Sequence, residues 1–436
     1  MGLCLPPRRH CPHGDGADVT SGTDTGLKAY IAVTGAYWAF MLTDGALRML
    51  VLLHFHTLGF SPIQLAYLFV LYEIMGIVTN LSAGWLAARF GLKSTLYAGL
   101  GLQIIALIAL TQLSANWSIA ASVAFVMFVQ GLSGIAKDLA KMSSKSAVKL
   151  LAPSEDGALF KWVAILTGSK NAVKGFGFLL GAALLAVFGF ETSLWSMAIV
   201  LAATLAAAFA LMPPGLPGGI KGVKFSAVFS KNPQINRLSL ARMFLFGARD
   251  TWFVVGIPIF FYSVLSDGTE AANREAFFLI GSFMAIWIIG YGAIQASAPK
   301  LLKKSTQTVD DTIKAAALWI AILATIPAAL ALASWLQVPC LIAIVIVGLL
   351  AFGLVFALNS AVHSYLILAF TNAERVTMDI GFYYMANAAG RLIGTLLSGA
   401  SFQLGGLPAC LGTAAVLAIA GWLTTRTLIS EPKTTA

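Results

Sequence analysis

Charge is scarce in this chain, and acidic charge is scarcest. Only 11% of its 436 residues are Asp, Glu, Lys or Arg, 18 of them acidic, while 58% are hydrophobic. A soluble protein carries roughly 25% charged residues, so a water-exposed globule of this size would lack the polar surface to cover itself. The apolar content also excludes disorder, and four cysteines are too few for a disulfide scaffold. The first 26 residues contain no apolar run of signal-peptide type. The patterns H-E-x-x-H, G-x-S-x-G and G-x-x-x-x-G-K-[ST] are also missing, which argues against an enzyme and against a nucleotide-driven pump. No cofactor and no metal is expected in the apolar part. What remains is an integral membrane protein.

A membrane span needs roughly 20 apolar residues. Windows of that length run over 30–53, 65–87, 95–113, 118–140, 159–188 and 193–212, and after a break over 238–265, 276–297, 313–335, 339–360, 380–403 and 408–428. They are too long for barrel strands and rich in leucine and alanine, hence helical. The expected fold is an all-α membrane protein of about twelve transmembrane helices in two six-helix bundles. The tail 1–28 precedes a first bundle at 29–212. A linker at 213–237, opening PPGLPGG and carrying Lys221, Lys224, Lys231 and Arg237, leads to a second bundle at 238–428 and a short tail at 429–436.

The net charge of +10 is explained by topology. With the N-terminus inside, the inner segments hold Arg89, Lys93, Lys141, Lys145, Lys149, the linker, Lys300, Lys303 and Lys304. The outer ones hold Glu191, Asp267, Glu270 and Glu275 with one cation, Arg274. This positive-inside asymmetry places both termini in the cytoplasm and leaves no need for nucleic acid as a partner; membrane lipid takes that role. Lys137, Lys141, Lys145 and Lys149, spaced by four, read as a helix face meeting lipid phosphates or as a funnel for anions. Cys4, His10, Cys11 and His13 form either a soft-metal cluster or part of an unstructured tail.

Ionisable residues inside spans cost about 2.5–3.5 kcal/mol each on insertion scales and mark sites by default. The cations are Arg48, Lys170, Lys174, Arg249 and Arg391; the acids are Asp44, Glu73 and Asp250. The cationic surplus points to an anionic small molecule, since low-dielectric walls focus the field. Arg48 and Arg249, on the first helices of opposite halves, would offer facing guanidinium forks to phosphate or carboxylate. Glu73 is the candidate proton carrier, because burial favours a neutral carboxyl, and His363 is a second titratable group. Asp44 and Asp250 stand beside arginines as ion-pair partners.

Between the second and third spans the string GWLAARFGLK, with Gly84, Arg89, Gly91 and Lys93, resembles the loop signature of the major facilitator superfamily, although Ala88 replaces its acid. The halves echo each other: Asp44 with Arg48 against Arg249 with Asp250, and Asn171 with Lys174 against Asn387 with Arg391. Glycine pairs follow at Gly177/Gly181 and Gly390/Gly394, read as helix-packing positions. Longer strings, LTDGALRMLVLLHFHTLGFSP, YEIMGIVTNL, KWVAILTGSKNAVKG, NSAVHSYLILAF and GFYYMANAAGRLIGTLLSG, resemble bacterial organoarsenical efflux permeases encoded beside glyceraldehyde-3-phosphate dehydrogenase. The resemblance implies export of 1-arseno-3-phosphoglycerate across the bacterial inner membrane, with that dehydrogenase as functional partner, and an organophosphate or phosphate antiporter as the alternative.

Overall fold

The computed structural model describes residues 19–114, 116–151, 158–212, 230–302, 308–371 and 376–428. Every regular element among them is helical: α1 (Val19–Thr57), α2 (Pro62–Tyr67), α3 (Val70–Leu110), α4 (Ile119–Leu151), α5 (Ala158–Leu211), α6 (Pro233–Phe253), α7 (Gly256–Leu265), α8 (Glu270–Leu301), α9 (Val309–Trp335), α10 (Leu341–Phe370) and α11 (Val376–Thr425). Among the described residues ten stretches are long and apolar enough to cross a bilayer. Two of these, at 43 and 48 residues, are about twice the length one crossing needs at 1.5 Å per residue. Each is folded back at glycine. Gly189 (φ 74°) divides α5, and Gly406 (φ 61°) divides α11, conformations that side-chain-bearing residues avoid. Gly91 (φ 73°) makes the same turn inside α3. Counting those two stretches twice gives twelve spans.

Packing is mostly within two halves, α1–α5 and α6–α11, and the halves meet where α5 lies along α8 and where α2 and α3 lie along α11. The outer surface carries Ile199, Phe209, Val347 and Val416, all more than half exposed, the dress of a protein that faces lipid. Small residues set the close approaches. A Cβ added at Gly181 would stand 2.1 Å from the carbonyl oxygen of Ala46, and one at Gly390 2.1 Å from that of Met243. The expected packing glycines of the fifth and eleventh spans therefore press against the first and seventh, in both halves alike.

Some boundaries differ from those expected. Helix α1 begins at Val19, so residues 19–28 are helical and not tail. Helix α6 begins at Pro233 behind an Asn232 cap, which moves residues 233–237 from linker to first turn, and Arg237 donates there to the carbonyl of Thr427 at 3.0 Å. Residues 213–229, 429–436 and the Cys4–His13 cluster lie outside the described residues. At the α7–α8 connection Thr269 caps α8. Its hydroxyl and amide also donate to Asp267 at 2.7 and 2.9 Å, holding that carboxyl below its ordinary range.

Two spans are broken in mid-course. The second is interrupted at Leu68–Phe69, between α2 and α3, and the seventh at Val254–Val255, between α6 and α7. The break in the seventh frees backbone amides that would otherwise be unsatisfied in apolar surroundings. Ser398 Oγ of α11 accepts from the amides of Val255 (3.2 Å) and Gly256 (3.0 Å). Both breaks lie within one or two turns of the buried charges described next.

Candidate substrate site

The interior charges converge because helix backbones come unusually close. Gly45 faces the carbonyl of Lys174, Gly134 that of Tyr72, and Gly394 the backbone of Gly247 and the Cβ of Asp250. These approaches bring α1 to α5, α4 to α3, and α11 to α6, each carrying a charge into the middle.

The result is a connected network. Glu73, fully buried, accepts from Arg48 at 2.7 Å and from Arg391 at 2.5 Å. Arg391 also faces Asp250 at 3.4 Å, and Asp250 is held by its neighbour Arg249 at 2.5 Å. On the other side Asp44 accepts from the Tyr72 hydroxyl at 2.7 Å and lies 3.9 Å from Lys174. The Tyr72 ring supports two cations, Arg48 at 4.9 Å and Lys137 at 4.0 Å. Asp138, also buried, stands beside Lys137 and pairs with Lys141 at 3.4 Å. Arg48, Lys137, Lys141, Lys174, Arg249 and Arg391 thus stand against Asp44, Glu73, Asp138 and Asp250, and positive charge is in excess.

Several residues stand in settings that periodicity did not suggest. Glu73, the candidate proton carrier, is wedged between two guanidiniums, Arg48 of its own half and Arg391 of the other. Arg48 and Arg249 do not face each other directly, since Glu73, Arg391 and Asp250 stand between them. Arg48 turns to Glu73 and leaves its i−4 neighbour Asp44 to Lys174 and Tyr72. The lysine stripe is not a lipid-facing surface in its described part. Lys137 is buried on Tyr72, and Lys141 reaches Asn80 (2.8 Å) and Asp138 (3.4 Å). Asp138 also accepts from Thr79 at 2.5 Å.

The remaining sequence-selected residues fall around this core. Asn171 packs on Gly292 and donates to Gln295 of the other half at 3.5 Å; Lys170 is half-buried beside it. Asn387 accepts from Arg242 Nε at 3.2 Å. His363 is fully buried on α10. Away from the core, Arg89 is exposed over the Trp85 ring at 5.5 Å, Gly91 makes the turn, Lys93 begins the next span half-buried, and Gly84 lies within α3.

Sequence reading missed Arg242, Tyr72 and Lys137 as parts of the interior. Arg242 sits inside the apolar window 238–265, where an ionisable residue is itself the signal. Lys137 was absorbed into the periodic stripe, and a tyrosine in a span carries no sequence mark of what its hydroxyl will meet.

Twelve spans in two halves, two of them broken in mid-course, and a polar, charge-lined interior define a multi-pass membrane transporter. The model of the Major Facilitator Superfamily matches residues 31–367, and the chain belongs to that superfamily. Two solved structures share its fold. The nucleoside transporter NupG superposes with a TM-score of 0.67 at 15% identity, covering 93% of this chain and 100% of its own. A POT family transporter in complex with a thioalcohol-conjugated peptide gives 0.68 at 16% identity, covering 91% and 94%. No curated protein sequence matches the chain.

Proposed function

We propose that the protein is a secondary active efflux transporter for an anionic organoarsenical, 1-arseno-3-phosphoglycerate, which it carries by alternating access and thereby confers arsenate resistance. The observation that carries the proposal is the surplus of cations over acids in the buried network, contributed by both halves. A desolvated cluster of that sign is stabilised by an oxyanion that completes the charge balance, and it repels cations. A guanidinium offers bidentate bonds to phosphate or arsenate oxygens. The long strings between Leu42 and Gly399 that resemble organoarsenical permeases supply the choice of cargo.

The orientation proposed has both termini in the cytoplasm of a bacterial cell and the basic connections inside. Glyceraldehyde-3-phosphate dehydrogenase would supply the substrate when arsenate replaces phosphate, as a functional partner without physical contact. Energy would come from exchange with a second ion.

The test is accumulation in everted membrane vesicles supplied with the dehydrogenase, its substrates and arsenate. Arsenic uptake into vesicles holding the protein, dependent on both arsenate and dehydrogenase, supports the proposal. Equal uptake of inorganic phosphate with no arsenic accumulation would redirect the assignment to phosphate antiport.

A further inference from the structure

Arg242 is a buried cation that pairs with no acid among the described residues. It is 4% exposed, and it donates to neutral acceptors, Asn387 Oδ1 at 3.2 Å and the carbonyl of Ser360 at 3.1 Å. Among the described residues no carboxylate forms an ion pair with it, in contrast to Arg48, Arg249 and Arg391. The faces of Phe246 and Tyr383 wall it in at 4.2 and 5.1 Å. Beside it on α10, Asn359 and His363 stand one turn apart, both fully buried. Neither the amide atoms of Asn359 nor the two ring nitrogens of His363 have a hydrogen-bond partner among the described residues, and His363 is near enough to Arg242 to feel its charge. Buried polar groups are ordinarily paired. Among the described residues, a buried guanidinium without a counter-charge thus stands next to an unpartnered amide and imidazole, an arrangement that suits an oxyanion ligand.

Its position defines what that is. Arg249 lies two turns further along α6, and its guanidinium carbon stands 4.7 Å from the centroid of the same Phe246 ring that Arg242 approaches to 4.2 Å. The two guanidiniums are therefore no further apart than those distances laid end to end, and they share one aromatic ring. Arg249 belongs to the net-cationic network; Arg242 is a separate centre.

We infer that Arg242, with Asn359, His363 and Asn387, forms a second oxyanion subsite, and that the two centres together select a short cargo bearing an oxyanion at each end. This rests on the reading that the cargo is anionic. The fork of Arg242 takes one end bidentately. The amide of Asn359 and one imidazole N–H donate to the oxygens that remain. The other end meets the surplus around Arg249 and Lys174, with the Phe246 ring against both arginines. A three-carbon bis-oxyanion fits both centres; inorganic phosphate fills only one.

The experiment is equilibrium binding to the purified full-length protein of 3-phosphoglycerate, which carries a carboxylate and a phosphate on three carbons. Glycerol 3-phosphate, with the phosphate alone, is the comparison. The expected result is about 10- to 100-fold tighter binding of 3-phosphoglycerate. Arg242→Gln should bring that ratio close to one while leaving glycerol 3-phosphate nearly unaffected. Equal affinities in the unaltered protein overturn the subsite and leave the anionic cargo standing, as does a preference that survives in Arg242→Gln. Binding of neither ligand overturns the anionic reading and the subsite with it. The comparison of ligands on the unaltered protein needs no variant to fold.

Discussion

Glu73 Oε1 lies 2.5 Å from Arg391 Nη2 and 2.7 Å from Arg48 Nη2, so a single carboxylate ties α3 both to α1 of its own half and to α11 of the other. The bond between halves is made where α11 lies along α3, with Glu73 fully buried and Arg391 largely so. Separating the halves at this point requires that the bond part. A bound anion would ease that step by taking up the guanidiniums that Glu73 releases, which links cargo binding to rearrangement of the halves.

Glu73→Gln leaves two buried guanidiniums short of counter-charge, and breaking a buried pair in this way costs about 3–5 kcal/mol. Thermal unfolding in detergent should show the loss. Glu73→Gln combined with Arg391→Gln should lose less than the two single changes together, with a coupling of about 1–3 kcal/mol; strictly additive losses would deny the direct bond. Transport by Glu73→Gln should fall at every pH with the shape of the pH profile kept. A profile flattened by the substitution would make Glu73 the proton carrier after all.

Arg48→Ala and Arg249→Ala remove cations that the acids of the network do not fully offset. Both should abolish arsenate resistance while the protein reaches the membrane in ordinary amounts. Arg48→Lys keeps the charge but not the planar fork, and should fall between wild type and Arg48→Ala. Normal resistance in both alanine variants would end the anion-clamp mechanism.

The architecture was largely legible in the sequence because lipid imposes a length on each span and a sign on each connection. The site was legible in kind but not in pairing. Periodicity put Asp44 and Arg48 on one face and suggested that they answer each other, yet Arg48 found Glu73 on α3 because the α2–α3 break at Phe69 carries that carboxylate under it. Lys137 was hidden for the opposite reason: its regular spacing with Lys141 looked like a solvated face, whereas Gly134 draws α4 so close to Tyr72 that the stripe's first members turn inward. Pairing depends on which backbones touch, and a single sequence does not state that.

Backbone contact is itself testable at the glycines. Gly181→Ala and Gly390→Ala each drive a methyl group into a carbonyl oxygen, and overpacking of this kind costs about 1–3 kcal/mol or more. Gly101 and Gly290, also within helices, have nothing within 4 Å of an added Cβ, so alanine there should be neutral or gain up to about 1 kcal/mol from helix propensity. The midpoint of thermal aggregation in detergent should separate the two pairs. Equal effects at all four positions would mean that the α1–α5 and α6–α11 approaches are looser than described.

The proposed orientation can be read from a native thiol. Cys340 is exposed at the connection between α9 and α10, on the side of the protein that also holds the Asp267 connection, because an even number of crossings separates them. Cys410 is buried, its Sγ donating to the Thr251 carbonyl at 2.9 Å, and should stay silent. If the acidic connections face outward, a membrane-impermeant maleimide added to intact cells should label Cys340, and Cys340→Ser should remove that signal. Cys4 and Cys11, at the other face in this orientation, should react only after permeabilisation. Labelling of Cys340 that itself requires permeabilisation would invert the protein in the membrane, and outward transport would then have to begin from the acidic face, where the positive-inside rule places no cationic loops to gather an anion.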